Sequence, residues 1–343
     1  MGKKNSIKHL LVIRLSAMGD VAMVPHALRA LRENYPDLRI SVLTKPLFAP
    51  LFDGLNVEII PIDTNGAHKG VMGLKHLARE IAERGVDCVA DMHSVFRTVI
   101  LTQFLRLFHG IPSNRINKGY ISKWMRMDGG CKDITKPLKH TVARYCDVLR
   151  RLGFKFDYPK AAVKIDRPNP TLFEKGSERW IGVAPFSAHK GKCYPLHLVR
   201  ALIAQLAARY DRVFVHSGPG EELKFAESME SEHKNVVAVF PKVKLAGEID
   251  LISNLDCIIS MDSFAMHVAA LVATPVVSVW GATHPMLGYS GYMTDPNGCV
   301  QLDLPCRPCS TYGNKKCRMG DYHCLYDIEP SIIVARVAEL IGD

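Results

Sequence analysis

Short apolar runs alternate with amphipathic stretches along the chain, and this alternation constrains the fold more than any other feature. The first half contains four predicted strands and three predicted helices: strands over 9–14, 39–43, 57–62 and 86–91, and helices over 21–34, 74–84 and 95–108. Strands that are repeatedly followed by helices are typical of βα units, which build parallel sheets. The sequence therefore predicts an α/β fold.

The pattern restarts after a proline-bearing stretch over 165–170, which we interpret as a linker. Strands are then predicted over 180–185, 213–216, 236–240, 257–261 and 276–280, the last of which closes the series. A chain of 343 residues suits two domains, so we predict a first domain over 1–168 and a second over 169–343. A ligand is expected in the cleft between them, and we suggest that a C-terminal helix over 330–342 packs back on the first domain.

Positive charge is concentrated in one part of the sequence. Between positions 97 and 160 there are 14 Lys and Arg against 4 Asp, an excess of ten that equals the formal net charge of the whole chain. Such a window is either a solvated basic face or a binding surface for an anion, such as an acidic acceptor or an anionic membrane leaflet. No recognition module for nucleic acid accompanies it, so nucleic acid is not an expected partner.

Apolar stretches are short throughout. None approaches the roughly 18 residues that a membrane span needs. The apolar run over 10–13 stops at Arg14, which makes it too short for the core of a signal peptide. We therefore expect a cytoplasmic protein, with peripheral attachment to a membrane as an option.

The loop after the first predicted strand, over 14–20, holds the first candidate site. In an open α/β sheet the ligand lies beyond the carboxyl ends of the strands. Ser16 and Gly19 are small enough for a substrate to approach the backbone closely. Asp20 either caps the following helix or acts as a general base, and the loop by itself does not decide between these two roles.

Three loops of the second half are further candidates. Asp262 and Ser263 open a helix whose N-terminus is suited to a diphosphate, and His267 lies one turn further on. The alternatives are that Asp262 only caps this helix and that His267 is a core histidine. The loop over 185–195 combines small and basic residues, which is typical either of an anion site or of an ordinary solvated loop. Glu221 and Glu222 follow a glycine turn and are suited either to ribose hydroxyls or to stabilising a helix N-terminus.

Several common enzyme motifs are absent from the sequence. It contains no G-x-x-x-x-G-K-[ST] phosphate loop, no H-E-x-x-H and no G-x-S-x-G. It also contains no Asp-x-Asp, the usual metal-binding pair of metal-dependent glycosyltransferases. We therefore expect catalysis that requires no cofactor.

The chain as a whole resembles the ADP-heptose:lipopolysaccharide heptosyltransferases, glycosyltransferase family 9. The resemblance rests on segments in the same order along nearly the whole chain: 14–20, 24–31, 192–195, 218–222, 262–267 and 280–285. It implies a GT-B fold of two Rossmann-like domains facing a central cleft. It also implies an inverting transfer of heptose from ADP-heptose to the inner core of lipopolysaccharide.

The resemblance implies roles for individual residues. Asp20 matches the catalytic base, and Lys192 matches the lysine that binds the donor phosphates. The other donor-binding residues implied are Ser187, Glu221, Glu222, Asp262, Ser263, Phe264, Ala265 and His267. We assign the acceptor to the first domain, through Ser16, Met18, Gly19, Arg97 and Arg144. In that domain we also place His140, since the His140–Tyr145 segment resembles a recurring element of the family.

Two positions depart from the family pattern. Phe264 stands where many members have Gly, and His284 stands where Asp is common. Both positions bear on the donor, so a relative that uses another nucleotide sugar and another glycan acceptor is one alternative function. A catalytically silent nucleotide-binding partner is a second, but the retention of Asp20 and Lys192 argues against it.

Cysteines cluster near the C-terminus. Cys306 and Cys309 form a C-x-x-C that is followed by Cys317 and Cys324. Four such thiols predict a structural zinc site, although the last two are not paired as C-x-x-C. Reduced or partly disulfide-linked thiols are the alternative.

Overall fold

The computed structural model describes residues 7–127, 136–164, 167–168 and 173–343. The predicted linker over 165–170 falls largely outside these residues. The chain divides into two compact units. The first unit comprises Met1–Lys118 and Thr141–Pro159, and the second comprises Gly119–His140 and Lys160–Asp343.

The first unit contains a five-stranded parallel sheet. Its strands are β1 (His9–Ile13), β2 (Arg39–Thr44), β3 (Glu58–Pro61), β4 (Cys88–Asp91) and β5 (Ser113–Arg115), in the order β3-β2-β1-β4-β5. Its helices are α1 (Met18–Ala22), α2 (Val24–Asn34), α3 (Gly70–Glu83) and α4 (Phe96–His109). After α5 (Tyr120–Trp124), which belongs to the second unit, α6 (Thr141–Arg151) returns to the first and packs on α2.

The second unit contains a six-stranded parallel sheet in the order β11-β10-β9-β6-β7-β8. Its strands are β6 (Trp180–Ala184), β7 (Arg212–Val215), β8 (Val236–Ala238), β9 (Cys257–Met261), β10 (Val276–Val279) and β11 (Cys299–Val300). Its later helices are α7 (Leu196–Arg209), α8 (Glu221–Glu232), α9 (Leu245–Asn254), α10 (Phe264–Leu271), α11 (His323–Tyr326) and α12 (Pro330–Ile341).

The central strands of both sheets are buried along their whole length. Every residue of β1, β6 and β9 is buried, because helices cover both faces of a parallel sheet. This burial explains why these strands read as continuous apolar runs rather than as alternating ones. Each unit has its own apolar cluster, and the two clusters share no residue.

Two sequence-based expectations need correction. The strand over 276–280 does not close the series, because the two-residue β11 pairs with β10. The single helix predicted over 21–34 is split into α1 and α2 at Met23, with Pro25 in the first turn of α2. The buried face of α12, including Ile333 and Val337, packs on α7 and the second sheet, and packing of this helix on the first domain stays a prediction.

The segment 119–140 also groups differently from the predicted domains, because its contacts are with the second unit. Leu138 N donates to Met286 O at 2.9 Å, and Lys123 Nζ lies 5.1 Å from the centre of the Tyr289 ring. Among the described residues, no helix is both long and apolar enough to cross a membrane.

Candidate functional site

The loops that follow β6, β9 and β10 meet at the carboxyl edge of the second sheet. Asp262 lies at their meeting point: its Oδ2 is 3.0 Å from Lys192 Nζ and accepts a hydrogen bond of 3.0 Å from Thr283 Oγ1. The side chains of Lys192 and Asp262 are only 16% and 5% exposed. The ion pair therefore fixes the lysine ammonium at the end of the sheet, where ligands bind in open α/β folds.

Backbone hydrogen bonds also fix the loop that carries Lys192. Ala282 N donates to Gly191 O at 2.8 Å, and Gly191 N donates to Gly313 O at 3.2 Å. Gly313 has a φ of +74°, and a Cβ added there would lie 2.4 Å from Lys192 Cγ. Gly313 thus leaves room for the stem of Lys192. Sequence reasoning missed this residue because it lies far along the chain from the loop that it contacts.

The N-terminus of α10 lies directly after Asp262. Ser187 Oγ donates to Asp262 O at 3.1 Å, and Ser260 Oγ lies 3.1 Å from Ser263 Oγ. The first turn of α10 receives no capping hydrogen bond from the side chain of its N-cap residue, Ser263. Its backbone N–H groups and the positive end of the helix dipole therefore favour an anion beside Ser263, Phe264 and Ala265, as the sequence predicts.

His267 lies one turn into α10 and is buried. Its Nδ1 has no hydrogen-bond partner within the described part of the chain. Burial, together with the charges of the nearby His140 and Lys192, lowers the pKa of His267 to about 3. His140 belongs to the second unit, where its Nε2 lies 2.8 Å from Ser290 O, so its predicted place in the first domain is wrong.

Only one of the two predicted ribose-binding glutamates turns toward the glycine loop. Gly218 N donates to Glu222 Oε2 at 2.7 Å. The side chain of Glu221 is 87% exposed and pairs with Lys224 at 2.7 Å. The geometry favours Glu222 over Glu221, a choice that the sequence left open. A ribose-binding role stays a prediction.

His284 has a structural use of its own. Its Nδ1 accepts a hydrogen bond of 3.2 Å from Met286 N and so caps the turn Pro285–Leu287. Burial lowers the pKa of His284 to about 4. The imidazole thus stabilises the loop after β10.

In the first unit, Asp20 lies in the first turn of α1, whose N-cap residue is Ala17. Asp20 therefore does not cap the helix. Its Oδ2 forms an ion pair with Arg14, and Arg14 Nη1 donates to Met92 O at 2.5 Å. Tyr145 Oη donates to Asp20 O at 3.1 Å. The ion pair with Arg14 holds the Asp20 carboxylate in place. The side chain of Asp20 remains 38% exposed, which leaves it accessible to a substrate hydroxyl.

His93 also belongs to this neighbourhood, although sequence reasoning missed it. Its Nε2 lies 3.3 Å from Ser16 Oγ, and its backbone N–H donates to Asp91 Oδ1 at 3.0 Å. Burial lowers the pKa of His93 to about 3, and the charge of Arg14 adds to this shift. The sequence does carry a signal for this residue, since the His follows a strand that ends in Asp91.

The predicted acceptor residues occupy separate positions in the first unit. Met18 is 36% exposed in α1 beside Gly19. Arg97 is half-buried in the first turn of α4. Arg144 is half-buried in α6 and donates to Asn117 O at 3.1 Å. Their acceptor-binding roles stay predictions.

The C-terminal cysteines are close neighbours. Cys306, Cys309, Cys317 and Cys324 line one cavity of about 320 Å³. Burial raises the pKa of Cys324 to about 12, and the other three thiols add to this effect. Within the described ranges, however, no three His, Cys, Asp or Glu side chains have an arrangement that would hold a metal ion. The zinc site stays a prediction, which metal analysis of protein purified without chelator would check.

Comparison with known proteins bears directly on this architecture. The model of glycosyltransferase family 9 (heptosyltransferase) matches residues 74–323. The lipopolysaccharide core heptosyltransferase OpsX of Haemophilus influenzae is 23% identical over 288 residues, covering 81% of this chain and 80% of the relative. Lipooligosaccharide heptosyltransferase 2 of the same organism is 25% identical over 364 residues, covering 97% and 99%.

Solved structures show the same fold. The family 9 glycosyltransferase of Veillonella parvula has a TM-score of 0.76 at 19% identity, over 98% of this chain and 97% of that one. The ADP-heptose lipopolysaccharide heptosyltransferase II of E. coli has a TM-score of 0.70 at 18% identity, over 97% and 98%. The family match includes the Lys192 and Asp262 loops and spans most of the chain. The chain therefore belongs to glycosyltransferase family 9 and is a glycosyltransferase with the GT-B fold.

Proposed function

We propose that the protein transfers heptose from ADP-L-glycero-D-manno-heptose to a Kdo or heptose residue of the lipopolysaccharide inner core. The relatives in the comparison are named for heptosyl transfer onto lipopolysaccharide or lipooligosaccharide. The observation that carries the proposal is the site around Lys192, Asp262 and the N-terminus of α10. A fixed ammonium beside a helix N-terminus is suited to the diphosphate of a nucleotide sugar.

In this proposal Lys192 and the first turn of α10 bind the donor diphosphate. As the bond between the anomeric carbon and the β-phosphate oxygen breaks, negative charge grows on ADP, and Lys192 stabilises that charge. The positive groups come from the protein itself, so the mechanism uses no metal ion.

Asp20 acts as the general base. It takes the proton of the acceptor hydroxyl while the hydroxyl oxygen attacks the anomeric carbon and ADP leaves with the bonding electrons. One displacement without a covalent enzyme intermediate inverts the anomeric configuration. Arg14 positions the Asp20 carboxylate through their ion pair.

A lipid-borne acceptor requires the enzyme to work at a membrane surface. Peripheral attachment to an anionic leaflet is therefore part of the proposal. The basic window over 97–160, with its excess of ten positive charges, supports it.

The mechanism is tested by measuring ADP release from ADP-heptose with a Kdo-lipid A acceptor. Asp20→Asn keeps the size of the side chain and removes the base, so we expect the rate to fall by about 10²- to 10⁴-fold. Asp37→Asn replaces an exposed carboxylate of the same unit and should leave the rate unchanged. Equal rates for wild type and Asp20→Asn would remove the base assignment.

Transfer of a different sugar is a second candidate, favoured by Phe264 as the first residue of α10, a position where many family members have Gly. Calorimetry with ADP-heptose and with other ADP-, UDP- and GDP-sugars separates the two candidates. Tightest binding of ADP-heptose supports the first. Tightest binding of a UDP-sugar would overturn the heptose assignment and leave the fold and reaction class intact.

A further inference from the structure

The short helix α5 carries an exposed apolar patch. Its members are Tyr120, Ile121, Trp124 and Met125, which are 58%, 75%, 66% and 48% exposed. We call these four residues the α5 patch. Large apolar side chains grouped in this way usually mark an interaction surface rather than a solvated one.

The opposite face of this segment is fixed to the second unit. Lys123 is 9% exposed, and its Nζ lies over the Tyr289 ring. Met127, one turn further on, is buried, and Thr311 Oγ1 contacts its sulfur at 2.8 Å. Because Lys123 and Met127 face inward, the patch is held outward by the fold.

The residues that flank the patch are basic. Arg126 donates to Lys136 O, which places Lys136 beside the end of α5. Lys136 and Lys139 are both exposed. The sequence has no Asp or Glu over 116–127 or over 136–146. A cationic partner fits such a surface poorly, whereas an anionic partner with an apolar layer behind its charges matches both the basic residues and the exposed apolar side chains.

The chemistry of the patch matches an anionic lipid surface. Trp and Tyr favour the boundary between headgroups and acyl chains. An aliphatic side chain beside them gains free energy by entering the acyl region, and Lys and Arg are attracted to anionic headgroups. We propose that the α5 patch docks the protein on an anionic membrane, with Ile121 and Trp124 inserted and with Arg126, Lys136 and Lys139 at the headgroups. This inference rests on the proposed function for its choice of a lipid partner.

Tryptophan fluorescence gives a direct test. The chain has three Trp, and Trp180 and Trp280 are fully buried, so a change on vesicle addition reports Trp124. With vesicles that contain phosphatidylglycerol we expect co-flotation and a blue shift of the emission. Phosphatidylcholine vesicles, or high salt, should weaken both effects because the charge attraction is lost. No shift and no flotation with anionic vesicles would overturn the proposal.

Substitutions separate insertion from charge. Ile121→Ser should weaken flotation by about ten-fold or more, since the apolar contribution is lost. Lys136→Gln should weaken it by about five-fold. The matched control is Met72→Ser, which removes an apolar side chain of α3 that is 64% exposed. This variant should bind vesicles as the wild type does. Binding of Ile121→Ser equal to that of the control would contradict the proposal.

Transfer assays distinguish this inference from the proposed function. On a lipid-free inner-core acceptor, Ile121→Ser should react at the wild-type rate, and on a vesicle-borne acceptor it should react more slowly. If wild type binds vesicles but transfers no heptose, the proposed function fails and the docking surface stands. Self-association of the protein through α5 without vesicle binding would overturn the docking surface alone.

Discussion

Lys192 and Asp262 depend on each other, and this coupling can be tested with single substitutions. Lys192→Ala removes the charge that we assign to the donor phosphates, so kcat should fall by about 10²- to 10³-fold. It also leaves the buried Asp262 carboxylate without its cation, which should cost about 1–3 kcal/mol of unfolding free energy. Steady-state kinetics and urea unfolding measure the two effects.

The double variant Lys192→Ala, Asp262→Asn provides the control. Neutralising Asp262 should recover most of the lost stability because no unpaired charge remains buried. Activity should stay low, since the ammonium is still missing. Recovery of activity along with stability would show that Lys192 acts only through folding.

His267 makes stability depend on pH. Its pKa is about 3 in the folded protein, against an ordinary value of 6.5, because burial disfavours the charged ring. Below pH 6.5 the unfolded chain therefore binds a proton that the folded chain does not, and stability falls as the pH falls. We expect His267→Leu to reduce the slope of unfolding free energy against pH between about 6.5 and 4, by at most about 1.4 kcal/mol per pH unit.

His323 offers a contrast of opposite sign. This exposed imidazole contacts Asp327, whose hydrogen bond raises the pKa of His323. Its contribution is present below pH 6.5 and is lost as the pH rises through the folded-state pKa. His323→Gln removes this contribution, so the stability lost on substitution, measured from urea midpoints, should be larger below pH 6.5 than at higher pH. For the His267 prediction, the contradicting result is an equal slope of unfolding free energy against pH for wild type and His267→Leu. That result would mean that His267 is not neutral in the folded state.

At the level of loops and secondary structure, Gly313 links the C-terminal loop to the lysine that we assign to the donor. Gly313→Ala should cost about 1 kcal/mol through its positive φ and should also displace Lys192, because the new Cβ meets Lys192 Cγ. We expect activity to fall between about 10- and 100-fold. Kinetics with ADP-heptose, together with thermal unfolding, measure both effects.

Gly320→Ala is the matched control. Gly320 has a φ of +80°, close to that of Gly313, and no heavy atom within 4 Å of an added Cβ. It should lose similar stability while it retains activity. If both alanine variants lost activity to the same extent, backbone strain rather than contact with Lys192 would be responsible.

Strands were predicted from sequence more reliably than the contacts among loops. A continuous apolar run such as β9 predicts a buried strand, because a strand of a parallel sheet is covered on both faces. The pairing of Lys192 with Asp262 could be anticipated only through the resemblance, since 70 residues separate the two. Thr283 and Gly313 have no local signature, because each acquires its role from a contact distant in sequence. The two-residue β11 is too short to produce a pattern.

For the molecule as a whole, Leu77 and Leu202 lie in different apolar clusters, one in each unit, so that substitutions there test whether the two units unfold separately. All three Trp lie in the second unit, so fluorescence reports that unit, whereas circular dichroism reports both. Leu77→Ala, in the core of the first unit, should cost about 2–5 kcal/mol. We expect the dichroism transition to begin at lower urea while the fluorescence midpoint changes little.

Leu202→Ala tests the converse, because Leu202 lies in the core of the second unit. Its fluorescence midpoint should move to lower urea. If Leu77→Ala shifted the fluorescence midpoint as far as Leu202→Ala does, the two units would unfold as one cooperative body.

The strands at the outer edges of both described sheets are short. β3 and β5 have four and three residues, and β8 and β11 have three and two. Short edges offer few unpaired N–H and C=O groups to another chain, so copies of the protein gain little by adding strand to strand. A concentrated, lipid-free solution should therefore cloud through side-chain contacts such as those of α5 rather than through fibre growth, and mild detergent should clear it.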